Sequence, residues 1–292
     1  MLTQQLFNGL LLGATYSLVA LGFNLVVGAM GRLNFALGET AMVAAVLSSV
    51  IMQNTSLWFP VVFLIAIATG AAVAVVVYFT SFKFVSQRYP TASILSTLGM
   101  GIVLTAAVTR IWGSDARVIP GVLGGYHWDL GFATVSGTQI MILGLSAVMT
   151  IALYLFLEKT LWGTAIRGVS DDAAVTGLLG VPVQRVIILT FALSGVLAGA
   201  AGLLTGIAYH TVSPFQGFTT TLTALMVIVI GGLGSVTGGV IAAVAIGEIE
   251  TLTVAYLSAT LRDFVVYILV GIVLLVRPHG LMGRDAGVLE RV

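Results

Sequence analysis

The sequence predicts an all-α protein, a polytopic bundle of about eight to ten membrane segments, with broken or re-entrant helices among them. Composition is the first ground. Of 292 residues, 59% are apolar and 8% charged, and mean hydropathy is +1.12. Soluble domains carry about 25% charged residues. A surface this poor in charge cannot be covered in water, so most of it meets lipid. Spacing is the second ground. Apolar runs fall near 6–29, 38–53, 59–81, 91–112, 138–157, 186–209, 219–231, 235–257 and 263–278, and a single span needs about 20 residues. Punctuation is the third. Pro60, Pro90, Pro120, Pro182, Pro214 and Pro278 all fall at or outside the ends of these runs, away from helix interiors that need the backbone donor proline lacks.

The first run follows Met1-Leu2-Thr3-Gln4-Gln5 and is full length with no basic residue before it. It reads as a retained helix rather than a cleaved leader. The break after it is Gly31-Arg32-Leu33-Asn34-Phe35-Ala36-Leu37-Gly38-Glu39. Asn34 and Glu39 are costly in lipid and must face protein, a cavity or water. The segment is either a plain turn or part of a solute path, and in the second case Asn34, Phe35, Leu37, Gly38 and Glu39 are the candidates. Two later connections, 113–137 and 158–185, are long enough to expect a function of them. The 219–231 run is short and ends in Gly231-Gly232-Leu233-Gly234-Ser235. It reads as a half-helix, a re-entrant segment or a crossing, and Gly231, Gly232, Gly234 and Ser235 join the pathway candidates.

Glu248 and Glu250 interrupt the next run, and acids at such depth are functional hypotheses by default. Two residues apart, they point to nearly opposite helix faces and cannot share a proton. Counted from Val236 at about 1.5 Å per residue, both lie toward the outer end. They are either helix-end acids that reach the interface or bond a neighbouring backbone or Arg262, or polar contacts on the solute path. The chain has no long polar stretch, so 1–292 reads as one transmembrane domain.

Glycine is abundant, with 35 residues. Gly9/Gly13, Gly195/Gly199 and Gly234/Gly238 have the four-residue spacing that lets helices approach closely. A helix, a Gly-containing break and another apolar helix recur in both halves, an echo of duplicated transporter architectures.

Basic residues set the orientation. Alternate connections hold Arg32; Lys83 and Arg88; Lys159, Arg167 and Arg185; and Arg277, Arg284 and Arg291, nine of the twelve. Arg110, Arg117 and Arg262 lie on the other side. The nine-residue side is expected to be cytoplasmic, with 113–137 outside, 158–185 inside, the N-terminus outside and the C-terminus inside. That requires an odd number of crossings, and nine fit.

The inner connection is the most informative segment. Ser170 or Asp171 is placed to cap a helix, with a second acid in its first turn. Val175, Leu178 and Leu179 form an apolar stripe, and Gly180 and Pro182 end it. The helix is too short to span. Its stripe lies on the membrane, against its own bundle, or in a groove on a partner such as an ATP-hydrolysing subunit.

Other chemistry is excluded. No G-x-x-x-x-G-K-[ST] occurs, so the chain has no phosphate cradle of that kind. Cysteine is absent, and His127, His210 and His279 are scattered without ligands at metal spacing. No histidine lies in a predicted span to activate Ser194 or Ser235. No catalytic residue is assigned, and a net charge of +1 gives no field for nucleic acid.

Three segments together resemble a known family, the permease subunits of branched-chain amino-acid ABC transporters. The first block, Asn8-Gly9-Leu10 through Gly13 with Tyr16, Gly28, Asn34-Phe35-Ala36 and Gly38-Glu39, is similar to the family's. So are Arg167, Asp172, Leu179, Gly180, Arg185 and Val186 in the inner loop. Gly231-Gly232, Gly234-Ser235, Gly238, Gly247, Glu250, Ala255-Tyr256-Leu257-Ser258, Asp263, Pro278 and Gly280 follow. The resemblance runs nearly end to end, and the length is similar to the shorter of the two homologous permeases. Leu37 departs, standing where the family often has His, and Glu248 stands where an apolar residue is common.

The resemblance implies a second homologous permease or a copy of this chain, two ATP-binding subunits that hold ATP and Mg, an external solute-binding protein, and a prokaryotic cytoplasmic membrane. This chain would bind no cofactor itself. It would seat its 163–181 segment in an ATPase, with Arg167, Asp171, Asp172, Val175, Leu178, Leu179 and Gly180 at the coupling surface. Branched-chain amino acids or a related small polar solute are the expected cargo. An ion-coupled secondary transporter is the competing class. It needs ionisable groups at depth, for which only Glu248 and Glu250 qualify. A channel is third, and no Thr-Val-Gly-Tyr-Gly filter occurs.

Overall fold

The computed structural model describes residues 2–85, 90–122, 127–129, 134–277 and 280–282. The described residues of each of the nine apolar runs fall on one helical segment, to within one residue at the ends. These are α1 (Leu2–Met30), α2 (Leu37–Asn54), α3 (Phe59–Val77, continued by a π-turn at Tyr78–Phe82), α4 (Pro90–Trp112), α5 (Gly137–Lys159), α8 (Val183–Tyr209), α9 (Gln216–Gly231), α10 (Val236–Tyr256) and α11 (Arg262–Val276). Two short helices, α6 (Leu161–Asp171) and α7 (Ala173–Leu178), fill the connection between α5 and α8. Strands β1 (Arg117–Val118) and β4 (Thr211–Val212) pair antiparallel, as do β2 (His127–Asp129) and β3 (Thr134–Ser136). Arg88, Arg284, Arg291, Pro278 and His279 lie outside the described residues.

Among the described residues, seven helices are long and apolar enough to cross a bilayer. The α2 and α9 helices, at 18 and 16 residues, reach about 27 and 24 Å. Both fall short of the roughly 30 Å hydrocarbon core. The two central helices are α1 and α8, whose spanning windows are 78% and 67% buried, whereas α5 and α11 bury 17% and 6%. That split assigns the centre to the first pair and the periphery, facing lipid or a partner, to the second.

The echo between halves is a physical arrangement. Helix α1 packs on α10, α8 packs on α3, and α2 meets α9. The series α1–α4 thus corresponds to α8–α11, with a six-residue connector after the first helix of each. The two series run in opposite directions. Gln4 Oε1 accepts from the Thr134 backbone N–H at the start of α1, while Ser170 Oγ bonds Gly28 O at its far end. Connector 31–36 therefore enters from one end of the bundle and 210–215 from the other. Their turns are built alike: Asn34 Oδ1 accepts from Ala36 N–H, and Ser213 Oγ from Phe215 N–H.

Glycines set these approaches. A Cβ on Gly247 would lie 2.4 Å from Gly13 N, and one on Gly13 2.6 Å from Val244 Cα, so α1 and α10 touch backbone to backbone. A Cβ on Gly195 would lie 2.2 Å from Gly70 O, and one on Gly199 2.4 Å from Ala66 O, which fixes α8 against α3. The third spaced pair is a correction. Gly234 has φ +80°, and a Cβ added there would meet nothing within 4 Å, so it serves the turn rather than a helix contact. Gly238 packs instead on Gly231, whose carbonyl oxygen would be 2.1 Å from an added Cβ.

The inner connection also departs from expectation, being two helices rather than one. Thr160 Oγ1 accepts from Gly163 N–H and starts α6 directly after α5. The cap of α7 is Asp172, not Ser170 or Asp171, and its Oδ1 accepts from Ala174 and Val175 N–H at 2.8 and 2.9 Å. Asp171 ends α6, the first turn of α7 holds no acid, and Ser170 is occupied by Gly28 O. Gly180, with φ +86°, closes α7 as expected.

Candidate functional site

The predicted site residues fall into four places, the first where the two connectors meet. Gly38 and Gly217, each the second residue of its helix, lie so close that a Cβ on Gly38 would sit 2.1 Å from Gly217 O. Two short helices thus begin at one buried junction. Thr221 Oγ1 ties them: it accepts from Gly38 N–H at 3.0 Å and lies 3.2 Å from Phe35 O and 3.4 Å from Glu39 Oε2. Glu39 is 4% exposed, and its carboxylate faces Gly101 of α4. A negative charge in the first turn of α2 is favoured by the helix dipole. Phe35 N–H donates to Thr97 Oγ1. Leu37 is fully buried and lies near Gly22 of α1. Asn34 and Glu39 therefore face protein, one of the environments the sequence allowed.

Two features of this junction escaped the sequence. Thr221 is one of several threonines on α9 and has no distinguishing pattern. Arg32 is 8% exposed, and its Nη1 has no hydrogen-bond partner among the described residues. Burial pushes its guanidinium below the usual range.

The second place is the α9–α10 turn. Gly232 and Gly234 have φ +103° and +80°, a region open mainly to glycine. Asn24 of α1 clamps this turn, donating through Nδ2 to Ser235 O at 3.0 Å and accepting from Gly234 N–H at 3.1 Å. Ser235 caps α10 by accepting from Gly238 N–H. Leu281 and Met282 N–H donate to Ile230 and Gly231 O, closing the end of α9. Gly231, Gly232, Gly234 and Ser235 thus build a fastened hairpin. A lone Asn in an apolar helix carries no periodic signal, so Asn24 too was missed.

The third place holds the two acids, and they separate as their spacing requires. Glu248 lies against Gly9 of α1, its Oε2 buried and without a hydrogen-bond partner among the described residues. Glu250, 3% exposed, accepts from Tyr16 Oη at 2.8 Å and pairs with Arg262, whose Nε and Nη2 lie 2.7 and 2.5 Å from the same Oε2. Arg262 Nη2 also donates to Tyr16 Oη. The Glu250–Arg262 bond, one of the alternatives the sequence left open, is present. It ties α10 and α1 to the otherwise thinly held α11, and it borders a cavity of about 740 Å³.

The fourth place is the α6–α7 segment. Arg167 is partly used within the chain, donating to Leu157 O at 2.6 Å and pairing with Glu158 at 3.1 Å. The apolar stripe is open: Leu178 is 88% exposed, Leu179 79%, Val175 51%, and Leu161 on α6 90%. The stripe is packed neither on its own bundle nor on any other described element.

Comparison with known proteins agrees with this geometry. Residues 5–276 match the family described as branched-chain amino acid transport system, permease component. The chain is 33% identical to the high-affinity branched-chain amino acid transport system permease LivH of Escherichia coli K12, over 96% of this chain and 95% of that one. It is 30% identical to the corresponding permease BraD of Pseudomonas aeruginosa over the same shares. It is also 28% identical to the ribose import permease RbsC of Haemophilus influenzae, over 80% of this chain and 70% of that one. A match of this extent has one consequence: the chain belongs to the branched-chain amino acid transport permease family.

Proposed function

We propose that this chain is the membrane-spanning permease subunit of an ATP-driven importer of branched-chain amino acids, working with a second permease, two ATPase subunits and an external solute-binding protein. The observation that carries this reading is the α6–α7 segment. It is capped at both helix starts and tied to α1 through Ser170. It presents Leu161, Leu178 and Leu179 exposed and Val175 half-exposed, with none of the described residues packed over the stripe. An exposed apolar ridge on a rigid support fits a groove on a partner. Seated in an ATPase, it would pass nucleotide-driven closure to α5, α8 and, through the Ser170 bond, α1. Asp171, Asp172 and Gly180 shape the ridge, and Arg167 fixes α6 to α5.

ATP and Mg would be held by the partner subunits, and this chain would move solute without making or breaking covalent bonds. The charge distribution supports an outside N-terminus and a ridge in the cytoplasm. Asn34, Phe35, Leu37, Gly38 and Glu39, with the 231–235 turn, would serve the path as the hinge where its two inverted halves meet. The names of the two permeases about a third identical support an aliphatic amino acid as cargo.

The test is uptake in proteoliposomes that contain the whole complex and its binding protein. Leucine accumulation that needs internal ATP and survives collapse of the proton gradient supports the reading. Accumulation that needs the gradient and not ATP overturns it.

A further inference from the structure

The 740 Å³ cavity lies between α1, α5, the end of α8, α10 and α11. It falls within the roughly 300–1,000 Å³ of small-molecule sites. One wall is apolar, from Leu12, Ala208, Val254 and Ala255. The rest is polar, and two of its groups are left with unused bonding capacity.

The first is Glu250. Tyr16 and both Arg262 nitrogens converge on Oε2, so Oε1 accepts no hydrogen bond among the described residues. A carboxylate facing a guanidinium fork ordinarily engages both oxygens, and here one is free. The second is Asn8, whose orientation follows from a chain of bonds. Gln139 Oε1 accepts from Ser136 backbone N–H, so Gln139 Nε2 is the donor to Asn8 Oδ1 at 3.3 Å. Asn8 Nδ2 therefore points elsewhere, and it donates to none of the described residues. Arg262 keeps 31% of its side chain exposed. The cavity thus offers a free acceptor on an acid, a free amide donor, an accessible guanidinium edge and an aliphatic wall. The charged pair itself sums to zero.

We propose that this cavity binds a zwitterionic α-amino acid with an aliphatic side chain. The α-ammonium donates to Glu250 Oε1, the α-carboxylate accepts from Asn8 Nδ2 and Arg262, and the side chain lies on Leu12, Ala208, Val254 and Ala255. A cation alone or an anion alone leaves half the polar wall unpaired, and unpaired buried groups are what give a polar site its selectivity. This assignment rests on the importer reading above and locates a site for its cargo.

The experiment uses the assembled complex in lipid nanodiscs without the binding protein, with labelled L-leucine displaced by leucinamide, which lacks the carboxylate, and by isocaproate, which lacks the ammonium. Saturable leucine binding is expected, with each analogue at least about tenfold weaker. Glu250→Gln should weaken leucine about tenfold without weakening isocaproate, because the ammonium contact is lost while Arg262, no longer neutralised by an acid, still faces the carboxylate. Val254→Trp, which fills the cavity from its apolar wall and spares the ion pair, should abolish leucine binding. Equal losses for all three ligands in Glu250→Gln, or leucine binding that survives Val254→Trp, would overturn the assignment. So would a phospholipid retained by the wild type, absent from Val254→Trp and not displaced by leucine. ATP-dependent leucine uptake by a complex that fails these tests overturns the cavity assignment alone. A complex with no ATP-dependent amino-acid uptake overturns the importer reading as well.

Discussion

Replacing Gly38 by alanine probes the junction that joins the two halves. The added methyl would lie 2.1 Å from Gly217 O, 2.4 Å from Thr221 Oγ1 and 2.6 Å from Thr221 N. Ordinary contact is about 3.5 Å, so α2 and α9 must separate by roughly 1 Å or more. Overpacking of this kind costs about 1–3 kcal/mol. Separation also stretches the 3.0 Å bond from Gly38 N–H to Thr221, adding about 0.5–1.5 kcal/mol. The combined loss is about 2–4 kcal/mol. The assay is reversible denaturant unfolding of the detergent-solubilised chain, followed by Trp fluorescence. Gly99→Ala is the control, since Gly99 lies on α4 and a Cβ added there would meet nothing within 4 Å. It should be neutral or gain up to about 1 kcal/mol. Gly217→Ala should lose stability too, and the double variant less than the sum, because both relieve one contact. A Gly38→Ala protein that unfolds at the wild-type midpoint would refute the close approach and the hinge built on it.

Four other outcomes follow from the same contacts. Leu179→Asp should abolish co-purification of the ATPase while the chain still inserts, because a charge would enter the docked face; wild-type recovery in a pull-down contradicts this. Asp172→Ala should destabilise α7 by about 1 kcal/mol and lower solute-stimulated ATP hydrolysis by the complex without releasing the ATPase, and unchanged hydrolysis would show the cap is not needed for coupling. Glu250→Ala and Arg262→Ala should each cost about 2–4 kcal/mol, the ion-pair value reduced for the part-exposed arginine. The double variant should cost less than the sum, and an additive cycle in the same unfolding assay would show that the pair does not act as a unit. Asn24→Leu should loosen the 232–235 turn by about 1–3 kcal/mol and raise hydrogen exchange at Gly234. Unchanged exchange there would remove Asn24 from that role.

Much of the fold is legible in the sequence because lipid imposes length and polarity rules on each span separately. Glu250 and Arg262 were legible as one of two readings, since an acid near a helix end and a base at the next helix start have few other partners. The cap of α7 was not. Ser170, Asp171 and Asp172 all suit the position, and the choice is made only when Ser170 bonds Gly28 O, Asp171 ends α6 and Asp172 Oδ1 accepts from Ala174 and Val175 N–H. The Gly234/Gly238 spacing misled because spacing does not encode φ. Gly38 against Gly217 and Thr221 against Gly38 join residues far apart in the chain, and such pairs exist only once the inverted halves are assembled. The free Oε1 of Glu250 is likewise a property of geometry, invisible in composition.

The central claim is that this chain works as the permease of an ATP-driven complex. The most direct measurement is mild-detergent purification of the tagged chain from its native membrane, followed by quantitative mass spectrometry of what accompanies it. The account predicts an ATPase and a second permease in stoichiometric amounts, both retained by the wild type and the ATPase lost in Leu179→Asp. A chain that emerges alone or as a self-oligomer, with no ATPase, would contradict it and favour an ion-coupled transporter, with Glu248 and Glu250 the first residues to examine.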